Sequence, residues 1–441
     1  MLVLKFGGTS VGSAERMHHV AQLIAKKQQP QIVVLSAVSG TTNQLVAIAT
    51  HASKQQHEQA QTLTGQLKQH YEGFVQQLLH SPKHVEQANA FVGQVFALLS
   101  QLADGTTNEK EILAQGELLS TRLFLTYLNQ EGIEAAELPA LDFMRIDADA
   151  EPDMAKIREL LKSQLAAMQG QQLLVTQGYI CRNHEGNIDN LKRGGSDYTA
   201  SLVGAAILAR EIQIWTDIDG IHNNDPRVVQ PTYPIAALSF EEAAELAYFG
   251  AKILHPFSIR PAQQHNIPVR LLNTMQPEAK GSLINNVENK QGIKAIAAKD
   301  GITAIKIKST RMLLAYGFLT KVFQVFEQYK TPIDMITTSE VAISLTIDDD
   351  THLEEICAEL NAFGHVMVDH EMSIVCIVGD RIADKRGIVK RVFEAIETVP
   401  IRMISYGGSK NNISVLIDTD SKVEALTKLN EGLFSPQPAR V

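Results

Sequence analysis

The sequence is poor in residues that mark secreted, metal-binding or nucleic-acid-binding proteins. It has only three cysteines in 441 residues, Cys181, Cys357 and Cys376, and their spacing is not that of a metal site. We therefore predict buried, reduced thiols in a cytoplasmic protein. Lysine and arginine form no basic block, and the net charge is −9, which argues against nucleic acid as the main partner.

Long apolar runs are also missing. No run approaches the roughly 20 residues that span a bilayer. The first residues form a short apolar strand and show no basic segment followed by a signal core. We therefore expect no membrane partner. The apolar fraction of 44% is typical of a soluble globular protein, and 441 residues predict two or three domains.

Residues 1–290 alternate between strand-like and helix-like patterns, which predicts a mostly parallel sheet with helices on both faces. The strand candidates after the first are 31–36, 132–137, 173–180, 212–216 and 268–272. Ligands of such sheets bind at the carboxyl ends of the strands. Residues 44–130 are predicted to be mostly helical. We attribute their histidines to a solvated helical hairpin, not to a metal site; these are His51, His57, His70, His80 and His84.

Two glycine-rich segments carry candidate chemistry. The first strand delivers Lys5 directly into a turn at Gly7-Gly8. The second segment, 192–199, reads Lys-Arg-Gly-Gly-Ser-Asp-Tyr-Thr and precedes a helix predicted over 200–210. Its glycines let the backbone approach a ligand, the helix start favours an anion, and Arg193 offers a planar fork for a carboxylate or phosphate. Alone, this second segment fits an ordinary helix cap equally well.

The last third of the chain contains an internal repeat. The segment Gly-Phe-Leu-Thr-Lys-Val-Phe at 317–323 recurs as Gly-Ile-Val-Lys-Arg-Val-Phe at 387–393, 70 residues on. Each unit predicts the order helix, strand, turn, strand, helix. Two small α+β modules are therefore expected after the parallel sheet.

These motifs together resemble the amino acid kinase superfamily, and within it the lysine-sensitive, single-function aspartate kinases. The matching blocks are 5–11, 116–120, 193–200, 215–217, 225–227 and 249–256, and the resemblance covers nearly the whole chain. The repeat resembles a pair of ACT domains, which bind amino acids. The resemblance implies a three-layer αβα kinase domain over 1–290. It also implies two ferredoxin-like ACT modules, the first over 301–370 and inserted into the second, which comprises 291–300 and 371–441.

The resemblance implies that ATP phosphorylates the β-carboxylate of L-aspartate, the first step toward lysine, threonine, methionine and diaminopimelate. Lys5 and Asp197 would be catalytic, and Mg²⁺ would be held by the phosphates without a protein metal site. The implied aspartate ligands are Ser39, Thr42, Glu117 for the ammonium group, Arg193 for the α-carboxylate, Gly194, Gly195 and Ser196. The implied ATP contacts are Lys5, Phe6, Gly7, Gly8, Thr216, Asp217, His222, Arg227, Lys252 and Ile253. His222 is a departure, because the family usually has tyrosine there.

The resemblance further implies an effector site in the first ACT module. Asp334 and Glu340 would supply two carboxylates, which suit L-lysine with its two ammonium groups. The full implied set is Met312, Ala315, Gly317, Phe318, Leu319, Pro332, Ile333, Asp334, Thr338, Ser339 and Glu340. Leu314 and Ala315 replace more polar residues of the family. Pairing through ACT domains implies a homodimer or a dimer of dimers.

Two alternatives stay open at this point. An acetylglutamate or uridylate kinase would lack the paired modules and the block at 249–252. A catalytically inactive amino-acid sensor would have lost Lys5, Glu117, Arg193 or Asp197, and all four are present. We expect no fused homoserine dehydrogenase, because no Gly-x-Gly-x-x-Gly follows a strand after the repeat.

Overall fold

The computed structural model describes residues 1–26, 29–105, 109–192, 194–250, 255–286, 292–309 and 316–434. The chain divides into two compact units. The first comprises Met1–Ile221, Ala236–Phe240 and Leu254–Asn286. The second comprises His222–Ile235, Glu241–Ile253 and Val287–Val441.

The first unit is built on an eight-stranded sheet. Its strands are β1 (Leu2–Phe6), β2 (Gln31–Leu35), β3 (Ala136–Glu137), β4 (Leu173–Gln177), β7 (Glu211–Thr216), β8 (Ala237–Ser239), β9 (Val269–Asn273) and β10 (Ser282–Asn285). The strand order is β3-β4-β2-β1-β7-β9-β10-β8, and β9 and β10 pair antiparallel whereas the other described neighbours are parallel. Successive residues of β2 and β4 are all buried, so both faces of the sheet are covered, as expected for parallel strands. A separate hairpin joins β5 (Ile180–Arg182) to β6 (Ile188–Asn190).

Helices of the first unit pack around this sheet. They are α1 (Ala14–Ala25), α2 (Thr41–Ser53), α3 (His57–Leu78), α4 (Pro82–Asp104), α5 (Glu109–Gln130), α6 (Ala140–Phe143), α7 (Met154–Ala167), α8 (Gly195–Ile207) and α10 (Arg260–Gln264). Helices α2 to α5 confirm the helical region predicted before residue 130. Their apolar faces share one core with α1, β1 and β2, centred on side chains such as Tyr71 and Phe124. Among the described helices, none has the length and apolar character needed to cross a bilayer.

Three predicted elements in this unit had wrong boundaries. The strand predicted from residue 132 begins only at Ala136, because Gly132, at φ 70°, ends α5 in a turn. The strand predicted over 173–180 breaks after Gln177, where Tyr179 adopts φ 66°. The helix predicted over 200–210 begins at Gly195 and stops at Ile207, because Leu208 is left-handed.

The second unit is an antiparallel α+β structure. Its six-stranded sheet has the order β12-β13-β11-β14-β16-β15. The strands are β11 (Ile293–Lys308), β12 (Ile336–Thr338), β13 (Ala342–Ile347), β14 (His365–Gly379), β15 (Met403–Tyr406) and β16 (Asn412–Asp418). The helices are α11 (Phe318–Gln328), α12 (Leu353–Leu360), α13 (Ile388–Ala395), α14 (Lys422–Phe434) and α9 (Phe240–Tyr248), which belongs here from Glu241 onward.

The predicted repeat is confirmed as α11-β12-β13-α12 followed by α13-β15-β16-α14. The long strands β11 and β14 pair along their length, with register shifts between Lys299 and Ala304. After these shifts, residues 303–308 of β11 also pair with β13. Residues 372–378 of β14 pair with β16. Each half therefore covers its own apolar core. The predicted fold class, a mostly parallel sheet covered by helices and followed by two antiparallel α+β modules, is confirmed.

Gly250, two residues after α9, packs directly on the backbone of β11. Its φ is 115°, and a Cβ atom there would lie 1.9 Å from the carbonyl oxygen of Ala298. Gly250→Ala is expected to lower the free energy of unfolding by roughly 3 kcal/mol or more, measured by urea titration. Gly301→Ala is the matched control, because Gly301 also has positive φ but a Cβ atom there would meet no described atom within 4 Å. Equal losses in the two variants would contradict this account.

Candidate active site

Lys5 lies at the carboxyl end of β1, which pairs in parallel with β2 and β7. Its Nζ is 2.7 Å from Oδ1 of Asp197, and the two side chains are only 12% and 19% exposed. A Cβ atom on Gly7 would lie 3.4 Å from this Nζ, at ordinary contact distance, so the glycine turn passes directly beside the ammonium group. The strand therefore delivers a charged, mostly buried lysine into the glycine turn, as the sequence predicts.

The glycine turn after β1 packs against the end of β7 and against the segment that follows β2. Gly7 N donates to the carbonyl oxygen of Trp215, and Ser10 N donates to that of Gly7. A Cβ atom on Gly8 would lie 3.1 Å from the carbonyl oxygen of Ala37, which follows β2. Phe6 is fully buried and stacks on Trp215, with ring centroids 5.7 Å apart. The full burial includes the Phe6 backbone, whose carbonyl oxygen accepts from Ser36 N, so the structure places Phe6 in the core and not at the surface of the turn.

Asp197 is held by the first turn of α8. The helix is capped by Gly194 at φ 68°, and Gly195 follows at φ 45°. A Cβ atom on Gly194 would lie 2.7 Å from Cβ of Ser258, so the close packing also requires glycine there. A carboxylate in a first helical turn is favoured by the helix dipole. Arg193 lies outside the described residues.

Ser196 belongs to a chain of hydroxyl groups that the sequence reasoning missed. Ser36 Oγ donates to Ser196 Oγ at 2.9 Å, and Ser120 Oγ donates to the carbonyl oxygen of Ser36 at 2.7 Å. Gly178 leaves room for Ser196, whose Oγ would lie 2.2 Å from a Cβ at that position. Their positions in the sequence could have identified both serines, because Ser36 directly follows β2 and Ser120 ends the motif at 116–120.

Glu117 points from α5 into the same region with only 4% of its surface exposed. Its Oε1 accepts a long hydrogen bond of 3.4 Å from Ala37 N, and Oε2 has no hydrogen-bond partner among the described residues. Burial raises the pKa of Glu117 to about 8. A buried carboxylate without a paired cation is costly. The geometry therefore suits a ligand that brings its own ammonium group.

The remaining candidates of the first unit lie at the same edge of the sheet. Ser39 is exposed. It lies close to the segment after the glycine turn, because a Cβ atom added to Gly12 would lie 3.0 Å from the Cβ atom of Ser39. Thr42 is half-buried in the first turn of α2. Thr216 ends β7 and donates through Oγ1 to Asp217 Oδ1 at 3.0 Å. The carboxyl ends of β1, β2 and β7 thus bring together glycine amides, hydroxyls and one lysine.

Several predicted nucleotide contacts belong to the second unit or lie outside the described residues. His222 and Arg227 belong to the second unit. His222 Nδ1 is 2.8 Å from Thr232 Oγ1. Arg227 is 77% exposed and makes a bidentate pair with Asp225. Lys252 and Ile253 lie outside the described residues.

The predicted effector residues are spread over the first half of the second unit. Gly317 caps α11 at φ 77°, Phe318 is buried in the core, and Leu319 is exposed. Pro332, Thr338, Ser339 and Glu340 are exposed, whereas Ile333 packs against the core. The carboxylate of Asp334 is only 1% exposed. Met312 and Ala315 lie outside the described residues.

The three cysteines are free thiols. Cys181 and Cys376 are buried, as predicted, but Cys357 is half-buried because it lies on α12 at the rim of its core. Burial raises the pKa of the Cys181 thiol to about 12. A thiol with so high a pKa is a poor nucleophile near neutral pH.

Comparison with known proteins gives two family matches. Residues 1–273 match the amino acid kinase family, and residues 375–433 match an ACT domain. The chain is 34% identical to the lysine-sensitive aspartokinase 3 of Escherichia coli (strain K12) over 98% of this chain and 99% of that protein. The chain belongs to the aspartokinases of the amino acid kinase family.

Other aspartokinases support this assignment. The chloroplastic aspartokinase 3 of Arabidopsis thaliana is also 34% identical, over 98% of this chain and 81% of that protein. The crystal structure of E. coli aspartokinase III with aspartate and ADP has a TM-score of 0.83 at 33% identity, covering 98% of this chain and all of that chain. The complex with lysine and aspartate has a TM-score of 0.79 at 33% identity, covering 98% and 99%. The predicted enzyme class, aspartate kinase, is confirmed.

Proposed function

We propose that this aspartokinase transfers the γ-phosphoryl group of ATP to the β-carboxylate of L-aspartate. A carboxylate oxygen attacks the γ-phosphorus, the bond from that phosphorus to the β,γ-bridging oxygen breaks, and the products are 4-phospho-L-aspartate and ADP. The observation that carries the proposal is the Lys5–Asp197 pair at the glycine turn. The E. coli relative, matched over nearly its whole length, was crystallised with aspartate and ADP.

The residues fit a reaction that depends on electrostatics. A carboxyl group with a pKa near 4 is already an anion at pH 7, so no strong base is needed. The difficulty is to bring two anions together and to stabilise the charge on the phosphoryl group in the transition state of its transfer. Lys5 supplies a compact positive charge, the Gly8 amide supplies a donor, and Asp197 orients Lys5. The Gly7 amide donates to the Trp215 carbonyl oxygen and would have to leave that bond to reach a phosphate.

Magnesium is expected with ATP, where it neutralises charge on the β- and γ-phosphates. Among the described residues, no three His, Cys, Asp or Glu side chains are grouped so that they could hold a metal. We propose that phosphate oxygens and water hold the ion, as is usual for Mg²⁺ in phosphoryl transfer. The chain's part is to position the phosphates through Lys5 and the Gly7-Gly8 turn.

Substrate recognition follows from the charges of aspartate. Glu117, with an unpartnered Oε2 among the described residues, would receive the ammonium group. Arg193 would clamp the α-carboxylate. The hydroxyls of Ser39, Thr42 and Ser196 would complete the pocket. The proposed ATP contacts are Lys5, Phe6, Gly7, Gly8, Thr216, Asp217, His222, Arg227, Lys252 and Ile253.

A coupled assay of ADP release tests the reaction. We expect turnover with L-aspartate and magnesium ATP, and little with L-glutamate, N-acetylglutamate or UMP. Turnover with one of the latter and none with aspartate would favour another kinase of the superfamily. Amino-acid binding in a calorimeter without turnover of any substrate would favour the inactive sensor.

The wider assignments are also proposals. We divide the chain into a kinase domain over 1–290, a first ACT domain over 301–370, and a second formed by 291–300 with 371–441. The pairing of residues 293–299 with the end of β14 supports that division. We propose a cytoplasmic enzyme, a homodimer or dimer of dimers, that supplies the first step of lysine, threonine, methionine and diaminopimelate synthesis. Its free thiols support the compartment.

L-Lysine is the proposed allosteric inhibitor, bound by the first ACT domain near Asp334 and Glu340. Replacing Asp334 with alanine is expected to abolish lysine inhibition and to leave turnover without lysine largely intact, because Asp334 is proposed to receive an effector ammonium group. The measurement is the ADP-release rate against lysine concentration. Threonine inhibition with no response to millimolar lysine would overturn the effector assignment.

A further inference from the structure

The carboxylate of Asp334 is buried within a cluster formed by Tyr248, Lys299 and Asp348. Its Oδ1 accepts a hydrogen bond of 2.7 Å from the hydroxyl of Tyr248, and Lys299 Nζ is 3.1 Å from the same oxygen. Lys299 also reaches Asp348 Oδ2 at 2.7 Å and lies 4.7 Å from the ring centroid of Tyr248. Burial, followed by the hydrogen bond to Asp334, raises the pKa of Tyr248. The sequence predicted Asp334 but none of these partners.

This arrangement conflicts with binding of an external ammonium group. Oδ2 of Asp334 is buried, has no hydrogen-bond partner among the described residues, and belongs to a carboxylate that is 1% exposed. A ligand in solution cannot reach that oxygen unless the carboxylate turns outward and leaves Tyr248 and Lys299. The cluster of two carboxylates and one ammonium group also carries a formal charge of −1, so a further cation is electrostatically favoured once it has access.

Tyr248 connects this cluster to a firmly anchored helix. It is the last residue of α9, whose Glu242 forms a buried ion pair of 2.6 Å with Lys294 of β11. Glu241 of the same helix accepts from Asn411 Nδ2 at 2.8 Å. Gly250, two residues further on, packs on β11. Tyr248 is thus fixed in place, and the chain beyond it leads within four residues to Lys252, a proposed nucleotide contact.

We propose that Tyr248 and Lys299 hold Asp334 inward and compete with the effector for it, so that they set the lysine concentration at which inhibition begins. This rests on the proposed function of Asp334 as an effector ligand. Lysine binds the conformation in which Asp334 has turned outward, and the end of α9 then loses its hydrogen-bond acceptor. Because a ligand shifts an equilibrium only by its differential affinity, weakening the inward state lowers the effector concentration required.

Tyr248→Phe tests the restraint on Asp334 separately from effector binding by Asp334. It removes the hydroxyl group that competes for the carboxylate and leaves the carboxylate in place. Hydrogen bonds to charged groups are the stronger class, so we expect half-inhibition at roughly tenfold lower lysine, with a matching fall in the lysine Kd measured by titration calorimetry. Tyr329→Phe is the matched control, because Tyr329 donates to Glu359 at the same 2.7 Å in the module that contains Asp334. It should leave both values unchanged.

The outcomes distinguish the two proposals. An unchanged or raised half-inhibition concentration in Tyr248→Phe, with the wild type inhibited by lysine, overturns the competition and leaves the effector assignment standing. Equal shifts in Tyr248→Phe and Tyr329→Phe overturn it as well, because the effect would then not be specific to Asp334. If lysine neither binds nor inhibits the wild type and Tyr248→Phe, both proposals fail together.

Discussion

Replacing Lys5 with alanine is expected to lower kcat by about 100- to 1,000-fold, the usual loss when one preorganised group facing transition-state charge is removed. The KM for aspartate should change little, because Lys5 is proposed to act on the phosphoryl group and not on the amino acid. Initial rates at saturating ATP, with aspartate varied, provide the measurement. A loss confined to the aspartate KM, with kcat intact, would contradict the role of Lys5.

A double variant tests how Asp197 contributes. Its Oδ1 lies 2.7 Å from Lys5 Nζ, and we propose that it acts by orienting that ammonium group. If so, Lys5→Ala with Asp197→Ala should be hardly slower than Lys5→Ala alone, because groups that act as a unit are not additive. Fully additive losses would show that Asp197 has a separate role in the reaction.

The sequence predicted those features that depend on local patterns. The apolar runs at β1, β2 and β7 define strands buried on both faces, and the glycines after β1 and before α8 mark turns that side chains would obstruct. Because parallel strands end at one edge of a sheet, the motifs that follow them could be expected to converge. The order of helices and strands in the repeat could also be predicted, because each unit carries its own helix and strand signals.

Features set by distant contacts could not be predicted in this way. Gly178, beside the break at Tyr179, packs against Ser196 of α8, and no local pattern records that contact. Asp334 could be identified as a candidate carboxylate, but its partners Lys299 and Tyr248 lie 35 and 86 residues earlier in the chain. Likewise, the pKa of Glu117 depends on burial between α5 and the loop after β2, which the sequence does not specify.

Glu117→Gln is expected to raise the aspartate KM by roughly 100-fold or more, because the substrate ammonium group would lose its only proposed carboxylate partner in a buried position. The wild-type enzyme should also show a pH dependence that the variant lacks. Burial raises the pKa of Glu117 to about 8, and only the ionised form can pair with ammonium. The wild-type aspartate KM should therefore fall more than tenfold between about pH 6 and pH 8.

Thermal stability without substrate distinguishes this role from simple misfolding. Because the folded-state pKa of Glu117 lies above its ordinary value, the contribution of its protonated form to stability is complete below pH 4.5 and is lost as the pH rises through about 8. Glutamine cannot ionise, so between pH 6 and 9 the Tm of Glu117→Gln should fall less steeply than that of the wild type. Glu131→Gln, an exposed control just after α5, should behave as wild type in both assays. A wild-type aspartate KM that is flat from pH 6 to 8 would exclude Glu117 as the ammonium ligand.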